Sequence, residues 1–139
     1  MNILFLLHPK NDVAYLFDHN SMHQGLDKMY RFGYSALPVI NNDGKYIGTV
    51  SEGDFLRHML DNDVYTIEER EEYCITDFMR LNWNPAVKVT ATMDELLLQV
   101  MEQNFLPVVD DRDCFMGIIT RKDIIKYFYN LNQKKDIAG

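Results

Sequence analysis

Two stretches of the chain decide its fold, because one repeats the other. Residues 37–54 read LPVINNDGKYIGTVSEGD, and residues 106–123 read LPVVDDRDCFMGIITRKD. They align without a gap at an offset of 69 residues, and five of the 18 pairs are identical. The identical pairs include Pro38 with Pro107, Gly48 with Gly117 and Asp54 with Asp123. A shared proline, glycine and aspartate in one ungapped window indicate a duplication within the chain.

Each copy has the sequence pattern of a β-hairpin followed by a helix. In the first copy, apolar residues 37–40 and 45–50 flank the turn residues 41–44. In the second copy the turn is 110–113, which lacks the glycine but stays polar. Apolar runs separated by such a turn predict a hairpin. The apolar spacing after Asp54 and Asp123 predicts amphipathic helices, and Ser51 and Thr120 are placed to cap them.

A second helix and a short strand are predicted upstream of each hairpin. The helices are expected over residues 21–32 and 92–103, and the strands over residues 13–17 and 86–90. Each copy therefore reads β–α–β–β–α, an α+β class. We expect one repeat with an N-terminal extension at 1–62, an acidic linker at 63–75 and a second repeat with a C-terminal tail at 76–139.

Composition narrows the functional classes. The chain has 139 residues, 47% of them hydrophobic, and 21 acidic against 14 basic side chains give a net charge of −7. This size fits one compact unit with a real core. An acidic chain disfavours nucleic acid, because a surface that follows phosphates needs clustered Lys and Arg.

The same features favour a soluble, cytoplasmic protein. Cys74 and Cys114 form no paired motif and read as free thiols in a reducing compartment. Residues 1–7 contain an apolar run of five residues but lack a basic start and a cleavage site, so a secretory leader is not expected. No run approaches the roughly 18–20 apolar residues that span a bilayer, so no membrane partner is expected.

The repeat resembles a known family. Two β–α–β–β–α copies, each with LPV, a following glycine and Ser/Thr-x-x-Asp, resemble a tandem cystathionine-β-synthase (CBS) domain pair, or Bateman module. The resemblance covers about residues 10–60 and 76–130. It implies two repeats packed about a pseudo-twofold axis, and a homodimer. It also implies that AMP, ADP, ATP, S-adenosylmethionine or cyclic di-AMP binds in the clefts between the repeats.

The family motif falls on Gly48, Ser51 and Asp54 in the first copy and on Gly117, Thr120 and Asp123 in the second. The resemblance implies that each aspartate accepts hydrogen bonds from ribose hydroxyls, with the Ser or Thr beside the ribose or phosphate. A carboxylate only accepts, which suits a diol, and a helix N-terminus suits phosphate. An apolar slot would take the base, with these candidates: Val13, Ala14, Tyr15 and Leu37 in the first copy, Ala86, Val87, Val89 and Leu106 in the second.

The two motifs differ in charge. Arg121 and Lys122 lie in the first turn after Thr120, whereas Glu52 follows Ser51. Because cations attract phosphate and an anion repels it, we expect the second site to prefer a phosphorylated nucleotide. Arg80, just before the second copy, is expected to add a third cation to that site.

Simpler interpretations stay open for several of these residues. Ser/Thr-x-x-Asp is also an ordinary helix cap. The histidines lack metal-ligand spacing, so no metal is expected, and no nucleophile–base pair or P-loop indicates an enzyme. No obligatory cofactor is indicated either. The leading hypothesis is a regulatory module that binds AMP, ADP or ATP and signals to an effector protein unknown from sequence. The alternative is a dimeric assembly module with degenerate pockets.

Overall fold

The structure is a computed structural model that describes residues 2–138, with side chains described as far as residue 134. Met1 and Gly139, the outer limits of the division expected from sequence, lie outside the described residues. Contacts divide the chain into two compact units. One is continuous, residues 14–85, and the other joins residues 1–13 to residues 86–139. This grouping differs from the boundaries 1–62, 63–75 and 76–139, which describe sequence copies and stay a prediction.

Seven strands and five α-helices are assigned in the described part of the chain. The strands are β1 (His8–Pro9), β2 (Leu16–Phe17), β3 (Ala36–Ile40), β4 (Tyr46–Ser51), β5 (Val87–Lys88), β6 (Phe105–Val109) and β7 (Phe115–Thr120). The helices are α1 (Met22–Phe32), α2 (Glu52–Asp61), α3 (Ile67–Glu71), α4 (Met93–Gln99) and α5 (Arg121–Ala138). Short 3-10 helices lie at Ile3–Leu6, Lys10–Asp12 and Ile75–Asp77. No helix in the described residues has the length and apolar character to cross a membrane.

The two copies build their sheets in the same register. In the continuous unit the strand order is β2-β3-β4, and in the other unit it is β1-β7-β6-β5. The first strand of each copy runs parallel to the second, and the hairpin is antiparallel. Val39 pairs with Gly48, as Val108 pairs with Gly117, and each ladder shifts register after the valine. The predicted α+β repeats with their hairpins are confirmed.

The hairpin turns show how the second copy manages without a glycine. Gly44 has φ +82°, and Asp113 at the matching position has φ +66°. Asp is among the few residues that tolerate this left-handed region. Asn41 Oδ1 and Asp110 Oδ1 each accept two backbone N–H groups of their turn. In the second turn these bonds, chiefly that from the Cys114 N–H, lower the pKa of Asp110.

Each unit has its own hydrophobic core. In residues 14–85 the core is formed by Leu16, Met22, Leu37, Val39, Val50, Phe55 and Ile75, among others. In the other unit it is formed by Ile3, Val87, Leu96, Leu106, Val108, Ile119 and Ile124, among others. Ile3 and Ile75 precede the first strands of the two copies, and both are fully buried. The segment before each copy therefore completes the core around the other copy's hairpin.

The acidic segment expected as a linker is part of the continuous unit. Val64 is buried in its core, and Cys74 forms an isolated β-bridge with Ser21. Asn84, further along the same segment, accepts the Tyr46 hydroxyl at its carbonyl at 2.6 Å, and this hydroxyl also lies 2.7 Å from Thr49 Oγ1. Burial raises the pKa of Tyr46 to about 12, so the hydroxyl keeps its proton at neutral pH. These contacts fix the segment that carries Arg80 against the first hairpin.

Several predicted elements are shorter in the structure. The strands expected over 13–17 and 86–90 pair over only two residues each, β2 and β5. The helix expected over 92–103 ends at Gln99, because the Met101 and Glu102 N–H groups donate to carbonyls three residues back rather than four. The helix expected over 21–32 is confirmed, with Ser21 as its cap and Gly33 ending it at φ +70°.

Candidate functional site

The motif hydroxyls cap the helices that follow them. Ser51 Oγ accepts the Asp54 N–H at 3.3 Å, while the Ser51 N–H donates to Asp54 Oδ2 at 2.9 Å. Thr120 Oγ1 accepts the Asp123 N–H at 3.2 Å. The capping alternative is therefore correct for both motifs. Capping leaves an oxygen of each carboxylate able to accept from another residue, and these further partners differ between the two copies.

Asp54 is enclosed by arginines. Its side chain is 1% exposed, and its Oδ1 accepts from Arg57 Nη2 at 2.9 Å and from Arg80 Nε at 2.8 Å. Arg80 Nη2 also donates to Ser51 Oγ at 3.2 Å, and its guanidinium lies 4.0 Å from the centre of the Trp83 ring. Arg80 was expected beside the second motif, and this is corrected: it lies at the first, because Met79 and Asn84 on either side of it contact the first hairpin.

Asp123 is more open and has a different partner. Its side chain is 32% exposed, and its Oδ2 lies 2.6 Å from His8 Nε2. A carboxylate only accepts, so His8 Nε2 carries the proton in this contact. The hydrogen bond from His8 is the largest cause of a lowered pKa at Asp123, which Thr120 and Lys126 lower further and burial opposes.

A cavity adjoins each aspartate, and the two cavities correspond. The cavity at Asp123, of about 430 Å³, is lined by Phe5, Leu6, Leu7, His8, Asp123, Lys126, Tyr127 and Asn130. The cavity at Asp54, of about 190 Å³, is lined by Asp54, Arg57, His58, Asp61, Asp77, Phe78 and Arg80. The helix residues that line the two cavities correspond at an offset of 69, as Asp54 does to Asp123. The lining residues from the segment before each copy correspond at an offset of 72, as His8 does to Arg80. Each cavity is thus the same feature of the duplicated fold, and the cavity at Asp123 is more than twice as large as the cavity at Asp54.

The expected phosphate cations lie on another face of α5. Thr120, Arg121 and Lys122 line an open groove with Asn104, Ile125, Lys126 and Tyr129. Arg121 Nε donates to the Val100 carbonyl at 2.7 Å, which ties the side chain to the end of α4. Lys126 borders both this groove and the Asp123 cavity. The structure therefore brings Asp123 together with Lys126 and His8 rather than with Arg121 and Lys122.

The residues expected to form base slots lie away from these cavities. Ala14, Leu37, Val87 and Leu106 are all buried in the cores of their units. Val87 also borders a cavity of about 320 Å³ with Ala86, Lys88, Thr90, Ala91, Glu95 and Gln99. Tyr15 accepts Lys28 Nζ at its carbonyl, and its ring packs edge-on against Phe17. None of them borders the cavity at Asp54 or at Asp123.

Sequence reasoning missed His8, Arg57 and Lys126. A signal for the cations was present, since Arg57 and Lys126 both follow their motif aspartate by three residues. His8 and Arg80 also correspond, but only at the second offset of 72 that aligns Ile3 with Ile75. Among the described residues no group of three His, Cys, Asp or Glu side chains is arranged to hold a metal ion.

Comparison with protein families gives two matches on this chain. The model described as CBS domain matches residues 7–61 and again residues 75–130. The chain belongs to the CBS-domain family. The two matched segments contain the duplicated hairpins, both motif aspartates and their corresponding partners His8 and Arg80.

Solved structures with this fold include other CBS-domain proteins. A crystal structure of CbpB in complex with c-di-AMP superposes with a TM-score of 0.87 at 27% identity, covering 100% of this chain and 91% of that one. CbpB from Streptococcus agalactiae has a TM-score of 0.80 at 29% identity, covering 94% of this chain and 82% of that one.

A curated relative is much longer than this chain. Inosine-5'-monophosphate dehydrogenase of Bacillus subtilis is 34% identical over 124 residues, which are 84% of this chain and 23% of the dehydrogenase. The chain therefore spans about a quarter of that relative, and the similarity concerns a CBS-domain region rather than the whole enzyme.

Proposed function

We propose that this CBS-domain protein is a regulatory module that binds an adenosine-containing ligand and has no catalysis of its own. The observation that carries the proposal is the cavity at Asp123, where a half-exposed carboxylate at a helix start faces about 430 Å³ of space. The likeness to CbpB, a CBS-domain protein solved with c-di-AMP, supports an adenine nucleotide as the ligand class.

The cavity offers a group for each part of such a ligand. The Asp123 carboxylate can accept both hydroxyls of a ribose, since it only accepts and has two oxygens. Lys126 supplies a flexible ammonium at the rim for phosphate. Phe5 and Tyr127, whose ring centres are 5.4 Å apart, give an aromatic wall against which a base can stack. This aromatic wall replaces the apolar slot expected from the sequence.

The ligand candidates are AMP, ADP, ATP and c-di-AMP. The expectation that the second motif prefers a phosphorylated ligand stands as a proposal, although Lys126 takes the role expected for Arg121 and Lys122. Binding would change how the protein engages an effector protein. A homodimer and a cytoplasmic location remain parts of the proposal.

Calorimetric titration and thermal unfolding with each nucleotide test this function. A ligand at 100 times its dissociation constant adds about 2.7 kcal/mol to the free energy of unfolding. We expect that shift with at least one phosphorylated adenosine ligand, and a loss of binding in Asp123→Asn. Adenosine and GTP are the matched controls for the phosphate and the base. The absence of any shift with all four nucleotides would refute the proposal.

A second candidate, an assembly module that works without ligand, is favoured by one observation. Leu56 and Leu60 on α2 are 55% and 64% exposed, and their counterparts Ile125 and Tyr129 on α5 are 53% and 61% exposed. Matching apolar pairs on two helices suit a protein–protein interface. This candidate predicts that Leu60→Lys abolishes self-association while no nucleotide changes stability, which light scattering and thermal unfolding together measure.

A further inference from the structure

The two motif aspartates are held by chemically different groups, although the groups occupy matching positions. Asp54 accepts from the guanidinium of Arg80, and Asp123 accepts from the imidazole of His8. At the position three residues after each aspartate, Arg57 donates to Asp54, whereas Lys126 acts on Asp123 only through its charge. The first carboxylate thus has two cations hydrogen-bonded to it, and the second has one imidazole.

The burial of Asp54 determines whether a ligand can displace its partners. The Asp54 side chain is 1% exposed, and three hydrogen bonds from Ser51, Arg57 and Arg80 satisfy it. The Arg57 and Arg80 side chains are themselves 60% and 44% exposed, so the buried charge is that of the carboxylate, and removing one of its partners is unfavourable. A ribose could not replace either arginine without leaving a buried charge poorly compensated.

The contact between His8 and Asp123 is easier to exchange. The side chains are 48% and 32% exposed, so water can solvate both when they separate. An exposed pair of this kind contributes little to stability. The imidazole can also exist uncharged, which a guanidinium cannot. The larger cavity lies at the Asp123 carboxylate. A ligand that enters this cavity finds His8 already hydrogen-bonded to the carboxylate oxygen that its ribose would bind.

We propose that the chain binds one adenosine ligand, at Asp123. His8 is a positioning residue that competes with the ribose of this ligand for the Asp123 carboxylate. Arg57 and Arg80 keep the Asp54 site permanently closed. This inference rests on the proposed function and adds the stoichiometry and the residue that controls access. Pairing of β1 with β7, His8 beside Ile118, keeps the imidazole at the cavity. Ligand entry therefore releases His8 from Asp123 while the strand stays in place.

Exchanging the groups between the copies tests the proposal. Calorimetric titration with c-di-AMP, ATP and AMP should give one ligand per chain, lost in Asp123→Asn and kept in Asp54→Asn. His8→Gln removes the competing imidazole and should tighten binding by up to about fivefold, the fold-change that corresponds to the small contribution of an exposed pair. His8→Arg copies the closed site and should weaken binding by at least as much. His19→Gln is the matched control, since His19 contacts Asn42 and Phe17 in the other unit.

The reciprocal exchange opens the first site. The double variant Arg57→Lys with Arg80→His gives Asp54 the partners of Asp123 and should add a second binding event. If it fails to fold, shown by loss of cooperative unfolding, the histidine ring signals of the natural protein decide instead. His8 should then be the histidine whose imidazole resonances shift when the nucleotide is added.

The outcomes separate this inference from the function beneath it. Two ligands per chain, or one ligand lost in Asp54→Asn but kept in Asp123→Asn, overturn the inference and leave the function standing. Unchanged affinity in both His8→Gln and His8→Arg also overturns it. No binding of AMP, ADP, ATP or c-di-AMP overturns both.

Discussion

The contact between His8 and Asp123 has a consequence for stability in acid. The pKa of Asp123 is lowered, first by the hydrogen bond from His8, so the folded state favours the carboxylate. The stabilisation is therefore present above the unfolded pKa, about 4, and is lost as the pH falls through the folded value. We expect Asp123→Asn to be less stable than the natural protein at pH 7, with the difference shrinking toward pH 3.

Urea unfolding at several pH values between 7 and 3 measures this difference directly. His8→Gln should reduce the same pH dependence without removing the carboxylate, which makes it the natural companion variant. A stability difference between Asp123→Asn and the natural protein that stays constant over the whole range would contradict the assignment.

At the residue scale, the sequence identified the groups that repeat and missed the groups that pair with them. Ser51, Asp54, Thr120 and Asp123 stand in one ungapped alignment, so their capping geometry was predictable. Arg80 was expected at the wrong motif. Local pattern says which residues form a strand or a helix, but not which hairpin a connecting segment packs on.

At the scale of elements, the pairing of β1 with β7 depends on Gly117. Its φ is +147°, and a Cβ added there would lie 2.1 Å from the His8 carbonyl oxygen. At the matching Gly48 a Cβ would meet only the flexible end of Met79, at 3.0 Å. The same residue type therefore meets a rigid backbone in one copy and a movable side chain in the other.

We expect Gly117→Ala to cost about 1–3 kcal/mol of unfolding free energy, through backbone strain and loss of the β1 ladder. Gly48→Ala should cost less than about 1 kcal/mol, because a methionine tip can shift. Chemical denaturation compares the two, and amide hydrogen exchange should show β1 losing protection only in the first. Equal costs in both variants would count against the described pairing.

Helices were easier to predict than strands, and the reasons are local. Helix α1 has a Ser21–Gln24 capping box at one end and Gly33 at the other, so its own sequence defines both ends. Strands β2 and β5 take only two residues each from longer apolar runs. Their length is set by the neighbouring strand that they pair with, which a period-two pattern does not reveal.

At the scale of the whole molecule, each unit depends on the segment that precedes the other copy. Ile3 and Ile75 are fully buried at corresponding positions in the two cores. We expect Ile3→Ala and Ile75→Ala to lose about 2–5 kcal/mol each, the usual cost of a cavity in a core. Leu81→Ala, at a side chain 84% exposed, should stay within about 0.5 kcal/mol.

Thermal or urea unfolding of the three variants measures these stability losses. An Ile3→Ala variant as stable as Leu81→Ala would mean that the first residues of the chain are not part of a core. The duplication predicted two copies correctly, whereas the grouping of residues 1–13 with residues 86–139 depends on contacts between segments that are far apart in sequence.

The split unit also imposes an order on biosynthesis. Residues 14–85 are continuous and leave the ribosome together, whereas Pro9 pairs with Gly117, 108 residues further along the chain. At about 5–20 residues per second, β1 waits roughly five to twenty seconds for its partner strand to be translated. We expect that, in nascent chains halted before β7, the first hairpin resists protease while the chain around His8 is still cleaved.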